Sequence, residues 1–172
     1  MRHHLALVLV SCSVLFACGD DESGGGEPAT DADRVFAASS SGTANGGAIE
    51  GIWEAKVPRV QAGLESAVRI ELRADHVVAA ARCTPSSGGD ATTVGKTAKA
   101  TVSSAAIDVP EDVRASKELG AATCAVLVRA GNLGACDLRK PVAERTSCFE
   151  LAKGVLTVRD EVTSVDYVKI AD

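Results

Sequence analysis

The sequence predicts an all-β fold, a small antiparallel β-barrel of about eight strands carrying one short helix. Three observations carry that expectation. Ser66 to Arg73 alternates strictly, with Val68, Ile70 and Leu72 on one face and Arg69, Glu71 and Arg73 on the other, the period of a half-buried strand. Short apolar runs recur across residues 48–172, separated mainly by Gly, Asp, Asn and Ser, as strands joined by local turns would be. The same region holds four cysteines, Cys83, Cys124, Cys136 and Cys148, an even number that reads as two disulfides in an oxidising compartment.

Taken in order, Gly51-Ile52-Trp53 opens the first strand of the domain. The run Ser66 to Arg73 turns at Ala74-Asp75 and returns as His76 to Cys83, a hairpin. After the turn-rich Thr84 to Asp90, strands are expected at Lys96 to Ser103 and Ala105 to Val109. Further strands follow at Thr123 to Arg129, Cys148 to Ala152, Val155 to Arg159 and Ser164 to Ile170. The helix is expected near 110–119: Asp108 stands near the N-cap, Pro110-Glu111-Asp112 fills the first turn, and Gly120 is a C-terminal stop.

The start of the chain has a different character. Arg2-His3-His4 precedes an apolar run from Leu5 to Ala17, too short for the ~20 residues that cross a bilayer but suited to a secretory signal. It ends at Leu15-Phe16-Ala17-Cys18 and gives way to Gly19-Asp20-Asp21-Glu22. This pattern resembles the bacterial lipoprotein signal, in which the Cys receives a diacylglycerol. Leu9-Val10-Ser11-Cys12 is a second candidate, and a cleaved signal with Cys18 as a structural thiol is a third reading. The resemblance implies residues 1–17 as signal peptide and a membrane partner reached through a lipid anchor at Cys18. It also implies a place in the bacterial cell envelope, on the periplasmic face or the cell surface of the outer membrane.

Residues 18–47 then read as a lipidated Cys and a flexible acidic tether rich in Gly and Ser, with Val35-Phe36 its one apolar pair. Six acids (Asp20, Asp21, Glu22, Glu27, Asp31 and Asp33) against Arg34 give it a net charge of −5, matching the whole chain's −5 and leaving the remainder close to neutral. That balance excludes a generic nucleic-acid binder, which needs a basic surface.

Residues 48–172 resemble the lipocalin-type (calycin) barrel: Gly51-Ile52-Trp53 matches the Gly-x-Trp of its first strand, and Tyr167 to Ile170 closes the last. The resemblance implies an Arg from a late strand covering Trp53, here Arg159, so that Gly51, Trp53 and Arg159 would form the barrel base. It implies a cup for a small apolar ligand. Inward positions rich in Ala and Val (Val77, Ala79, Ala81, Val126, Val128) fit either a cavity or a barrel packed shut.

Of the three pairings open to four cysteines, Cys124 with Cys136 across a turn at Ala130-Gly131-Asn132 is favoured, leaving Cys83 with Cys148. Catalytic chemistry is not indicated. Once a signal is removed, His76 is the one histidine left, beside Asp75 at a turn, so neither a multi-histidine metal site nor a triad is expected. Gly95-Lys96-Thr97 imitates a phosphate loop, but position 90, where the pattern needs Gly, is Asp90. Glu111-Asp112 and Asp160-Glu161 read as a helix start and an exposed turn, and Arg139-Lys140 is too short for a basic patch. The expectation is a lipid-anchored binder of a small apolar ligand, not an enzyme, with no cofactor or metal. An envelope module contacting a protein or wall polymer through a filled barrel is the alternative.

Overall fold

The alternation at Ser66 to Arg73 organises the fold. In the computed structural model, which describes residues 30–38, 48–137, 147–159 and 164–172, the chain forms β1 (Gly51–Ala55), β2 (Arg59–Gln61), β3 (Leu64–Arg73) and β4 (His76–Pro85). The β3–β4 hairpin pairs from Leu64↔Pro85 to Arg73↔His76 around the Ala74-Asp75 turn. There follow β5 (Thr92–Lys99), β6 (Thr101–Val102), β7 (Ala106–Val109), β8 (Val113–Leu119), β9 (Ala122–Val128) and β10 (Gly131–Ala135). The last three strands are β11 (Cys148–Ala152), β12 (Val155–Arg159) and β13 (Ser164–Ala171).

Ten strands run β5-β4-β3-β1-β13-β12-β11-β10-β7-β6, with β2 as an eleventh that shares the β1 edge of β3. All pairings are antiparallel except β10 with β11. The first and last strands meet, Trp53 opposite Lys169. The two ends of the path, β5 and β6, are consecutive in the chain. The amides of Ala100 and Val102 donate to the carbonyls of Asp75 and Ala74, at 3.0 and 3.1 Å, so this seam is drawn together by the β3–β4 turn. The result is a nearly closed, barrel-like sheet. The expected eight strands are too few because the chain bends at Ala100 and breaks at Pro58, each break making two short strands of one, and because Gly131 begins a strand where a turn was expected.

The predicted helix at 110–119 is instead β8, which pairs with β9 in a separate two-stranded sheet. Gly120, read as a helix stop, is half of a tight hairpin turn with φ +66°. The composition of Val113 to Leu119 favours helix, but pairing with the β-branched run of β9 overrides so weak a preference. The hairpin lies against β4 and β5: Val113, Ala122, Cys124, Val126 and Val128 share one core with Val77, Ala79, Ala81, Val94 and Ala98. The small inward residues of β4 therefore admit a second layer of backbone. Trp53, Leu72, Leu133, Leu156 and Tyr167 fill much of the remaining interior.

Part of the expected tether is also ordered. Residues 31–37 form α1 (Asp31–Ala37), opened by a capping box in which Thr30 Oγ1 accepts from the Asp33 amide and the Asp33 carboxylate accepts from the Thr30 amide. Ala32, Val35 and Phe36 pack on the outer face of the sheet, against Ile52, Val78 and Ala80. Gly95 permits that approach, since a Cβ there would stand 2.5 Å from the Cβ of Ala32. Arg34 grips the buried Glu71 bidentately, at 3.0 and 2.5 Å. Arg69 donates to the carbonyls of Val35, Phe36 and Ala38, closing the C-terminus of α1, while Arg69 and Arg82 stack on the Phe36 ring. Val35-Phe36 is thus an anchor, not an incidental pair. No helix among the described residues is long and apolar enough to cross a membrane.

Candidate functional site

Pro58 sets the site. As β1 leaves Ala55, its ladder to β13 ends with Ala55↔Tyr167 and the Lys56 amide bonded to the Asp166 carbonyl at 3.0 Å. Pro58 has no amide hydrogen to continue it. The chain resumes as β2, paired to β3 alone, and the tight turn at Ala62-Gly63 returns it to β3. Where β2 parts from β13, a cleft of about 320 Å3 opens, lined by Ala55, Lys56, Val57, Arg59, Val68, Ser164, Val165, Asp166 and Tyr167.

Its walls are apolar and its rim is charged. Tyr167 is buried, and Ala55 and Val165 pack on the main core. Burial pushes the Tyr167 phenol well above its ordinary value, against the smaller opposing influence of the Arg59 charge, so the phenol is neutral at physiological pH. At the rim, Lys56 Nζ lies 3.3 Å from Asp166 Oδ2, and the Thr157 hydroxyl donates to Asp166 Oδ1 at 2.8 Å. These contacts, led by the Thr157 hydrogen bond, hold the Asp166 carboxyl below its usual range. Beside the cleft, Val57 is 76% exposed and Val60 on β2 is 70% exposed.

The barrel-base residues come together only in part. Trp53 is fully buried, with Nε1 donating to the Ile49 carbonyl at 2.8 Å. The cation over its ring is Lys169, 5.7 Å from the centroid, not Arg159. Lys169 lies directly across from Trp53 on β13, and its ammonium reaches the Ala48 carbonyl and the Asp172 carboxylate. Arg159 sits one strand further away, on β12, and its guanidinium reaches Glu150 of β11. Gly51 leaves space for Lys169: a Cβ at Gly51 would collide with that side chain and with the Ala171 carbonyl.

The disulfides are Cys83–Cys124 and Cys136–Cys148, replacing the expected Cys124–Cys136 and Cys83–Cys148. The reason is topological. Gly131 begins β10 instead of forming a hairpin turn, and β10 pairs with β7 and β11 while β9 pairs with β8. One bridge ties the β8–β9 hairpin to β4, and the other joins the end of β10 to the start of β11.

His76 hydrogen-bonds Asp75 at 2.7 Å on the exposed β3–β4 turn. Gly95-Lys96-Thr97 lies within β5, with the Thr97 hydroxyl bonded to Asp31 of α1. Asp112, expected in a helix start, accepts from the Ala130 amide at 2.7 Å and so ties the entry of β8 to the exit of β9. Cys18, Cys12, residues 1–17, Arg139-Lys140 and Asp160-Glu161 lie outside the described residues. Among the described residues no group of three or more His, Cys, Asp or Glu is placed to hold a metal ion.

Sequence reasoning missed the cleft itself. Lys56-Val57-Pro58-Arg59 carried its signal, a proline between two strand-like runs where an edge should break.

The fold and cleft define a nearly closed β-barrel protein, compatible with a calycin-like architecture, whose candidate site is an opening in the wall beside its first strand. The chain matches no protein-family model, no curated protein and no solved structure.

Proposed function

We propose that this chain is a lipid-anchored, lipocalin-like protein of the bacterial cell envelope that binds a small apolar molecule and catalyses no reaction on it. The observation that carries the binding reading is the cleft, whose volume of about 320 Å3 falls within the range of small-molecule sites. Its apolar walls end in a neutral phenol, and the exposed Val57 and Val60 extend apolar surface beyond the rim. The lipocalin-like reading is supported by the meeting of first and last strands and by the late-strand cation over Trp53. The anchor reading rests on Leu15 to Cys18 in the sequence.

One observation favours a second reading, an interaction module contacting a protein or wall polymer. The β8–β9 hairpin packs on the inner residues of β4 and β5, so the chain itself occupies space that a lipocalin gives to its ligand.

A native mass spectrum of the chain carrying Cys18→Ser, purified from the periplasm, decides between them. A reproducible extra mass of a few hundred daltons, lost on unfolding, is expected. A bare protein mass that persists after incubation with envelope lipid extract overturns the small-ligand reading and leaves the interaction module. For the anchor, labelled palmitate should enter the parent chain and Cys12→Ser but not Cys18→Ser. Label that survives Cys18→Ser, or never enters the parent, overturns the assignment.

A further inference from the structure

Three charges line the cleft, and two of them are already matched. Lys56 faces Asp166, and Asp166 also accepts from Thr157, so this carboxylate is satisfied on both oxygens and the pair contributes no net charge. Arg59 is different: among the described residues its guanidinium makes no ion pair or hydrogen bond. The phenol of Tyr167 is neutral. Among the described residues, the cleft therefore presents apolar walls and one positive charge at its rim that no ion pair or hydrogen bond matches.

We infer that the ligand of this cleft is a single-chain amphiphile with an acidic head, its tail against Ala55, Val68, Val165 and Tyr167 and its anion beside Arg59. The inference rests on the small-ligand reading and adds the chemistry of the head. A volume of about 320 Å3 holds roughly ten heavy atoms at the ~30 Å3 that a water molecule occupies in the liquid. A longer tail emerges over Val57 and Val60, which gives those exposed side chains a partner. Arg suits this position because its planar donors match a carboxylate or phosphate, and its charge does not titrate.

The test is calorimetric titration of the full chain carrying Cys18→Ser with decanoate, decyl phosphate and decanol, all below micelle-forming concentrations. The acids are expected to bind about three- to fivefold more tightly than decanol, the scale of a partly exposed ion pair. That preference should shrink with added salt and vanish in Arg59→Gln. Asp166→Asn removes the carboxylate that occupies Lys56 and should tighten the acids further, a gain that misfolding does not produce. Preference for decanoate alone, or for decyl phosphate alone, supports the inference and identifies the head. Equal binding of decanol and both acids, unchanged in Arg59→Gln, overturns it while the small-ligand reading stands. Failure of all three to bind overturns the small-ligand reading as well.

Discussion

Gly51 has φ +137°, a backbone region that L side chains rarely adopt, and its missing Cβ is where Lys169 passes on its way to Trp53 and Ala48. Gly51→Ala therefore meets both backbone strain and a collision with the Ala171 carbonyl, which cannot swing aside as a side chain can. A loss of about 2 kcal/mol or more is expected, read as a lower urea midpoint at unchanged slope. Adding Lys169→Met should not restore it, because the carbonyl remains. The opposite change is available at Ala62, whose φ of +49° beside Gly63 at +76° makes a turn that favours Asn-Gly. Ala62→Asn should raise stability by about 0.5–1 kcal/mol on the same assay. The Gly-x-Trp tripeptide was legible in the sequence, but its cation was not. Which late residue stands over Trp53 depends on the β1–β13 register, and the irregularity between Ile52 and Trp53 places Lys169 there.

Among the elements, the strands with clean alternation were legible and those with borrowed order were not. β3 declares itself through period-2 patterning, and β4 through the two-residue turn that returns the chain as an apolar run from Val77 to Ala81. β8 carries the same period in Val113, Ala115 and Leu119, but its charges and the following Gly imitate a helix. Those charges, Arg114, Lys117 and Glu118, lie exposed on a strand paired on one side only, where they discourage pairing with another chain. Mistaking β8 for a helix also removed the partner of β9, and the disulfide expectation failed with it. Peptide mapping without reduction should recover Cys83 linked to Cys124 and Cys136 linked to Cys148; a Cys124–Cys136 peptide would contradict this topology. α1 had its own signals, Thr30 to Asp33 as a capping box and Ala32, Val35 and Phe36 at helical spacing. Seven residues in a Gly- and Ser-rich stretch do not hold a helix alone; the sheet holds this one. Phe36→Ala removes the ring clasped by Arg69 and Arg82. Hydrogen exchange should then accelerate at the amides of Arg34 and Ala38 while the β3–β4 ladder keeps its protection.

For the molecule as a whole, the acids that folding perturbs among the described residues all move the same way. Asp33, Glu71, Asp75 and Asp166 are each held below their ordinary values. Glu71 is the buried member, 1% exposed. Burial alone would push its carboxyl up, but the guanidinium groups of Arg34 and Arg73 outweigh that and hold it down. The sequence placed Glu71 correctly on the outer face of β3, yet nothing in the alternation says that this face is covered. The cover comes from a helix inside what composition presents as a leash. A carboxyl depressed by folding stabilises the native state fully above its unfolded value, 4.5 for Glu, and loses that contribution as pH falls through the lower folded value. Stability contributed by these carboxyls should therefore hold from neutrality down to about pH 5 and fall steeply below about pH 4. Glu71→Gln separates Glu71 from the other three. At pH 7 it leaves Arg34 and Arg73 without their carboxylate, and a loss of about 1–2 kcal/mol is expected, because both guanidinium groups are partly exposed and water takes up the charge left behind. Its acid limb should be shallower than that of the parent, because the group that titrates in the parent is gone. Urea midpoints measured from about pH 3 to pH 7 on both proteins provide the comparison. If the two curves instead fall in parallel, the acid sensitivity belongs to the exposed carboxylates and Glu71 does not couple α1 to the barrel through its charge.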